Sequence, residues 1–209
     1  MTRRCCWSSA FIVLVVAAAA TAQTPQKIQP PPPTTMWQHG STLNLFAGAA
    51  SAPSHRGAIG GGAVGWELKP RFAVEGSGEW MEWGAGSHAF AAAITAQTGL
   101  ASPRPVMPFL TGGIGLYRAS FDRLGSAMPA FYGRRMAMDG VHMGTAATFT
   151  DPTVVFGGGV NAFVNRHWAI RPDVREIVVL RNSRSYFVTA FAVHVAYHFE
   201  DHPVTPRAR

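Results

Sequence analysis

The sequence is poor in cysteine. Its only two cysteines, Cys5 and Cys6, lie near the N-terminus, ahead of an apolar run. A chain cleaved after that run retains no thiol, which excludes a disulfide framework and a cysteine metal site from the mature protein. The histidines lack HExxH spacing, so no metal site, cofactor or catalytic residue is predicted.

Long hydrophobic runs are absent after the first 22 residues, whereas a membrane-spanning helix needs about 20 apolar residues. Arg3 and Arg4 precede the apolar run Ala10–Ala20, and Ala20-Thr-Ala22 is a small-x-small cleavage site. This arrangement predicts a secretory signal peptide over residues 1–22, cleaved after Ala22. The alternative, an N-terminal membrane anchor, would need a longer apolar run.

Acidic residues are fewer than basic ones, and the formal net charge is +7. Cleavage would remove Arg3 and Arg4 and leave +5, since 7 − 2 = 5. The basic residues are dispersed, which argues against nucleic acid as a partner and favours weak attraction to anionic lipid head groups.

Prolines and strand-like segments divide the mature chain into three parts. Residues 23–40 contain Pro25 and the run Pro30–Pro33, so we predict an extended linker there. Residues 41–200 form the predicted barrel, and residues 201–209 form a polar tail.

The segment Tyr186–Phe199 alternates strictly. Large apolar side chains such as Phe187, Phe191 and Val193 lie on one face, and small or polar ones such as Ala192 and His194 lie on the other. The second face carries no Lys, Arg, Asp or Glu, so it suits a narrow filled interior better than water. The pattern predicts a membrane β-barrel with lipid on the aromatic side.

The chain contains eight segments of this kind, which predict an all-β fold, an eight-stranded antiparallel up-and-down transmembrane β-barrel. The short turns Lys69-Pro70, Gly99–Pro105 and Asn165–His167 share one end with both termini, and one long extracellular loop, Ser120–Pro152, leaves the other end. This asymmetry is typical of outer-membrane barrels with periplasmic termini. The predicted strands are Ser41–Ala49, Ala58–Leu68, Arg71–Trp83, His88–Thr98, Val106–Ala119, Thr153–Val164, Trp168–Leu180 and Tyr186–Phe199.

Strand parity places charged residues inside the barrel. Eight strands enclose only enough room for side chains, so these charges must pair. A structural charge network that plugs the lumen is the favoured interpretation, and a proton or ion path is the alternative; His194 and His198 are further donors. The predicted network comprises Glu67, Glu75, Glu79, Arg171, Asp173 and Arg175.

Two further expectations concern the wall. Ile177 and Val179 have the opposite parity to Trp168 and Ile170, which predicts a bulge near Arg175–Glu176 or emergence from the membrane there. Aromatic residues collect near both ends of the strands, which predicts two interfacial belts: Trp66, Phe72, Phe163, Trp168, Tyr197 and Phe199 at one end, and Trp80, Trp83, Tyr186 and Phe187 at the other.

Three segments, Val64–Glu75, Arg104–Tyr117 and Phe156–Arg175, resemble small outer-membrane β-barrel proteins of the OmpA type. The resemblance covers Ser41–Phe199. It implies an eight-stranded barrel in the bacterial outer membrane, and no common chemistry. In contrast to that family's pattern, the chain continues past Phe199, and we expect a stand-alone barrel without a peptidoglycan-binding domain.

The predicted function is non-enzymatic, with a structural or surface-interaction role. Expected partners are outer-membrane lipid or lipopolysaccharide, the barrel-insertion machinery and an extracellular ligand of the 120–152 loop. Alternatives are a small pore or solute channel, an outer-membrane lipid-modifying enzyme, for which the adjacent Ser87 and His88 are a poor motif, and a soluble lipid-binding barrel. Loop contact candidates are Phe131, Tyr132, Arg134, Arg135 and Met136.

Overall fold

The architecture was analysed in a computed structural model of the chain. It describes residues 40–53, 55–69, 71–84, 86–101, 105–122, 129, 131–132, 146–165, 167–181 and 184–199. The predicted signal peptide, nearly all of the linker and the 201–209 tail lie outside these residues.

Eight antiparallel strands close into one barrel, which confirms the predicted fold class. Each strand pairs with its neighbours in sequence, and β1 pairs with β8 from Thr42↔His198 to Ser51↔Thr189. The strands are β1 Ser41–Ala52, β2 His55–Lys69, β3 Phe72–Gly84, β4 Ser87–Gly99, β5 Val106–Asp122, β6 Ala146–Phe163, β7 Trp168–Arg181 and β8 Arg184–His198.

The barrel has two distinct ends. The first described residue, Gly40, and the last, Phe199, lie at the same end, where the Phe199 amide donates to the Ser41 carbonyl at 2.9 Å. We call this the terminal end. The opposite end carries the connection between β5 and β6 and is called the loop end.

Several strands at the loop end are longer than predicted. The β1–β2 ladder continues to Ala52↔His55, and the β5–β6 ladder continues to Asp122↔Ala146. The predicted Ser120–Pro152 loop was therefore wrong in its bounds, and the connection is residues 123–145. The prediction ended the loop at Pro152, but Pro152 pairs within the ladder opposite Leu116.

Glycine shapes the β3–β4 turn. Gly84 and Gly86 have φ values of 78° and 74°, a region that favours glycine because it lacks a Cβ. The ladder shifts register between Glu82 and Gly84, which lets the turn close onto Ser87. The turn between the predicted strands Arg71–Trp83 and His88–Thr98 thus has its physical cause in two left-handed residues.

Strand β7 contains no bulge at Arg175–Glu176, so the first of the two predicted alternatives, a bulge, was wrong. Pairing with β8 is continuous from Trp168 to Arg181. Pairing with β6 is interrupted opposite Pro172, which has no N–H, and resumes in the same register. The change of parity in the sequence instead reflects an interior that is charged near the terminal end and apolar near the loop end.

Candidate functional site

The interior of the terminal half holds a closely packed charged cluster. Glu75 on β3 and Arg171 on β7 form a bidentate pair, with Arg171 Nη1 2.7 Å from Oε2 and Nη2 3.0 Å from Oε1. Asn44 Nδ2 on β1 also donates to Glu75 Oε2 at 3.0 Å. Both charged side chains are buried, so this pair is a strong charge-assisted contact that crosses the lumen.

A second set of charges adjoins the first toward the loop end. Arg175 Nη2 lies 3.3 Å from Glu79 Oε2, and Arg175 Nε lies 3.5 Å from Asp173 Oδ1. His194 Nε2 lies 3.0 Å from Asp173 Oδ2, and its Nδ1 lies 3.0 Å from Arg171 Nη2. His194, fully buried, therefore joins the two sets. Glu75, Glu79, Arg171, Asp173, Arg175 and His194 are called the interior cluster.

Aromatic rings flank this cluster. The Phe46 ring lies 4.5 Å from the His194 ring and 4.9 Å from the Arg175 guanidinium carbon. The Phe109 ring lies 5.6 Å from the guanidinium carbon of Arg171. Guanidinium groups over ring faces gain cation–π attraction, so these rings fill part of the lumen around the charges.

Glu67 stands apart from the other predicted network residues. It lies at the terminal end, its side chain is 31% exposed, and its Oε1 lies 3.4 Å from His198 Nδ1. It lines a cavity of about 40 Å³ at the barrel mouth, which is room for a few water molecules. The floor of that cavity includes Asn44, Glu75, Phe109 and Arg171. The structure thus brings five of the six predicted residues together and leaves Glu67 in the mouth.

An aromatic layer fills the loop end. The Tyr132 ring lies 5.0 Å from Phe149, 5.2 Å from Phe121 and 5.8 Å from Tyr186. Phe131 stacks on Tyr186 at 5.3 Å. We call Phe121, Tyr132, Phe149 and Tyr186 the aromatic layer. Sequence reasoning missed it, because Tyr132 comes from the connection rather than from a strand.

An ion pair lies against the aromatic layer. Arg181 Nη1 donates to Asp151 Oδ2 at 3.2 Å, and the guanidinium lies 5.1 Å from the Phe149 ring centre. Asp151 is buried. The sequence signal was available, because Phe149, Asp151 and Thr153 continue the inward parity of β6 beyond its predicted start.

The loop contact candidates do not all project outward. Tyr132 is completely buried, so its proposed role as an external contact was wrong: the ring is committed to the aromatic layer. Burial also raises the pKa of the Tyr132 phenol, and the nearby Tyr117 and Asp151 raise it further. Phe131 is half-buried. Arg134, Arg135 and Met136 lie outside the described residues.

The described residues support neither a catalytic pair at Ser87 and His88 nor a metal site. Ser87 is fully buried, whereas the adjacent His88 stacks on the outward-facing Trp80 at 4.5 Å. The two side chains therefore lie on opposite faces of β4 and do not form a nucleophile–base pair. The part of the chain that the structure describes holds no group of three or more His, Cys, Asp or Glu able to bind a metal ion.

The exterior of the barrel is mostly apolar, although Glu176 on β7 also lies there and accepts a hydrogen bond from Thr189 Oγ1 at 2.8 Å. Leu45 on β1 and Ile94 on β4 are each 65% exposed, and Ile114 on β5 is 70% exposed. The described residues form no helix with the length and apolar character needed to cross a bilayer. Further exposed apolar side chains include Val64, Leu110, Leu116, Phe156, Ile170, Val174, Phe191, Val193 and Val195.

The predicted aromatic belts are unequal. At the terminal end Trp66, Phe72, Trp168 and Phe199 are exposed, as the prediction requires, whereas Phe163 and Tyr197 are half-buried. At the loop end Trp80 and Phe187 are exposed, but Trp83 and Tyr186 are buried. Their placement in the belt was wrong, because both have inward parity and fill the lumen.

A closed eight-stranded antiparallel barrel with an apolar exterior and a filled interior is the architecture of small transmembrane barrels. The fold is similar to that of the crystal structure of Neisserial surface protein A, with 15% identity, 76% of this chain and 96% of that chain covered, and a TM-score of 0.57. The N-terminal β-barrel domain of Pseudomonas aeruginosa OprF matches with 12% identity, 78% and 100% coverage, and a TM-score of 0.52.

The outer membrane protein OprG from Pseudomonas aeruginosa is also similar, with 10% identity, 78% of this chain and 97% of that chain covered, and a TM-score of 0.53. No family model matches the chain, and no curated protein matches it in sequence. At these identities the likeness concerns the fold.

Proposed function

We propose that this chain is a non-enzymatic β-barrel of the bacterial outer membrane with a structural or surface-interaction role and a lumen closed by side chains. The observation that carries this proposal is the combination of an apolar exterior with a charged interior. A soluble lipid-binding barrel would need the reverse arrangement. Two of the structural neighbours described above, one named as a surface protein and one as an outer membrane protein, support the same location.

The proposed orientation places both termini in the periplasm. An even number of strands puts them at the same end, and the described connections at that end are short turns. The connection between β5 and β6 then belongs to the extracellular end of the barrel, as the long loops of outer-membrane barrels do. Arg134, Arg135 and Met136 are the proposed contacts for an external partner, and outer-leaflet lipid or lipopolysaccharide surrounds the wall.

The filled lumen favours a structural role over a solute channel. The charged pair Glu75–Arg171 crosses the terminal half, and Tyr132 occupies the loop end. A conducting pore would need a continuous water-filled path, which eight strands are too few to enclose once side chains fill the interior. The opposed faces of Ser87 and His88 argue against a lipid-modifying enzyme.

Cell fractionation tests location and orientation together. The full chain, expressed with its N-terminal segment, is expected in the outer membrane and should migrate faster on a gel when unboiled. Trypsin added to intact cells should cut after Arg134 and Arg135, and a double Arg134→Ala, Arg135→Ala variant should lose those cuts. A soluble periplasmic protein without a mobility shift would sink the proposal.

Conductance supplies the second arm of this test. Purified protein in a planar lipid bilayer is expected to give a flat current trace. Discrete, reproducible conductance steps would instead establish a channel and overturn the closed-lumen part of the proposal, without affecting the location.

A further inference from the structure

We propose that Glu79 is a proton-binding site: its side chain carries the one proton that makes the interior cluster electrically neutral. This inference rests on the packing of the barrel interior. It does not depend on the role of the loop or on the cellular location, so it can fail or stand separately from the proposed function.

The geometry around His194 fixes the first step. Arg171 Nη2 lies 3.0 Å from His194 Nδ1. A guanidinium group has donors only, so Nδ1 must accept and cannot carry a proton. The remaining proton of the neutral ring is therefore on Nε2, which lies 3.0 Å from Asp173 Oδ2. In this arrangement His194 contributes no charge.

The remaining charges do not balance. Arg171 and Arg175 supply two positive charges, and the three carboxyl groups of the cluster would supply three negative ones if all were ionised. All five side chains are buried. An uncompensated charge in such surroundings is strongly unfavourable, and a buried group avoids this by taking up a proton. One carboxyl group must therefore be protonated for the cluster to be neutral.

The contacts identify which carboxyl group that is. Glu75 accepts both hydrogen bonds of the bidentate Arg171 pair and a third from Asn44. Asp173 faces His194 on one oxygen and Arg175 on the other. Glu79 Oε2 and Asp173 Oδ1 both lack an aligned hydrogen-bond partner among the described residues, but Asp173 has two ionic contacts and Glu79 has only its 3.3 Å contact with Arg175. Glu79 is therefore the least compensated of the three.

The elements packed around Glu79 offer little further compensation. On its own strand the other inward carboxyl is Glu75; β7 contributes Asp173 and Arg175, β8 contributes His194, and β5 contributes the neutral Tyr117. Its partners across β2 and β4 are Gly61 and Ala91, which have no polar side chain. No described cation besides Arg175 contacts Glu79 directly, and Arg175 is shared with Asp173.

Infrared difference spectroscopy tests the site directly. Folded full-length protein in lipid vesicles is compared at neutral pH with its Glu79→Gln variant. The wild-type-minus-variant spectrum is expected to show the carbonyl stretch of a protonated carboxylic acid. Taking the difference cancels any contribution from Glu176, which lies on the outer wall. A difference spectrum showing only the stretches of an ionised carboxylate would overturn the proposal.

Stability provides a second measurement with a matched control. Glu79→Gln keeps a neutral group in the folded state and removes a carboxyl group that the unfolded chain ionises at neutral pH, so the variant should unfold in urea no more readily than wild type. Glu75→Gln leaves Arg171 unpaired, so unfolding should become more favourable by on the order of a hundredfold. Equal destabilisation by the two substitutions would mean that Glu79 is ionised. If Glu79→Gln fails to fold while Glu75→Gln folds, the proposal is likewise wrong.

Discussion

At the scale of single residues, Tyr132 illustrates how a connection can become part of a barrel core. Its ring contacts four other aromatic rings, and its hydroxyl is buried without a hydrogen-bond partner among the described residues. The Tyr132 side chain therefore stabilises the fold by packing, whereas burial of its unpaired hydroxyl lowers the stability. Loss of the ring would open the loop end of the lumen.

Substitution of Tyr132 by Phe should remove a pH dependence. Because burial raises the pKa of Tyr132 in the folded state, the unfolded chain releases this proton first as pH rises. The contribution is fully present below the ordinary phenol pKa of about 10 and is lost above it. Above about pH 10, the unfolding free energy measured by urea titration should therefore fall more for the wild type than for Tyr132→Phe.

The comparison is internally controlled, because Tyr117 and Tyr186 are present in both proteins and cancel in the difference. At neutral pH the two proteins should have similar unfolding free energies, since Phe keeps the ring and removes only an unpaired hydroxyl. Parallel decline of the two proteins through the alkaline range would show that Tyr132 is accessible to water in the folded state.

How far the site could be predicted differs from residue to residue. Alternation alone placed Arg171, Asp173 and Arg175 inside, because a strand allows only two directions. It could not choose partners: Glu75 and Arg171 are 96 positions apart, and their pairing depends on the closure of the whole barrel. Tyr132 belongs to no strand, so no periodicity indicated its direction.

At the scale of elements, β7 shows why parity arguments can mislead. The prediction of a bulge assumed that every inward residue is polar or small. The structure keeps one register and instead changes the interior, from Arg171, Asp173 and Arg175 to Ile177 and Val179. Apolar residues on both faces of a strand therefore signal an apolar segment of the lumen as well as a possible register change.

Adjacent glycines on β5 allow a test of how closely the strands approach. A Cβ added to the inward Gly113 would collide with the backbone of Ile94 and Thr95, whereas one added to the outward Gly112 would meet nothing nearer than the Val155 carbonyl at 4.0 Å. Gly113→Ala should therefore cost about 1–3 kcal/mol in unfolding free energy. Gly112→Ala should be neutral or stabilising by up to about 1 kcal/mol.

Urea titration of both variants in lipid vesicles measures this difference. The two substitutions change the unfolded chain equally, so the comparison isolates the folded state. Equal effects would show that the wall at Gly113 can move outward to accept a methyl group, and that the tight contact with β4 is not required by the fold.

At the scale of the whole molecule, the barrel is divided along its axis. The terminal half holds the interior cluster and the small cavity at the barrel mouth. The loop half holds aromatic and aliphatic side chains with the Asp151–Arg181 pair. Most of the exposed side chains in the middle of the strands are apolar. This distribution is expected if lipid surrounds the exterior of the barrel, because charged side chains then find polar partners only in the barrel interior.

The placement of the wall in a bilayer can be tested by adding a charge to it. Ile114 lies near the middle of β5, opposite Ile94 on β4, and both point outward. If this surface faces the bilayer midplane, Ile114→Arg should destabilise the barrel in lipid vesicles by about 2–4 kcal/mol. Leu100→Arg is the control, because Leu100 is also exposed but lies in the turn after β4 at the terminal end, where the cost should be about 0–1 kcal/mol.

The costs at the two positions can be compared directly, because each substitution replaces an exposed aliphatic side chain by the same cation. In water, neither would cost more than about 0.5 kcal/mol, as for ordinary surface substitutions. A large cost at Ile114 with a small cost at Leu100 would therefore fix the depth of the wall as well as its solvent. Similar small costs at both positions would mean that the apolar wall is covered by something other than lipid, and the membrane proposal would have to be abandoned.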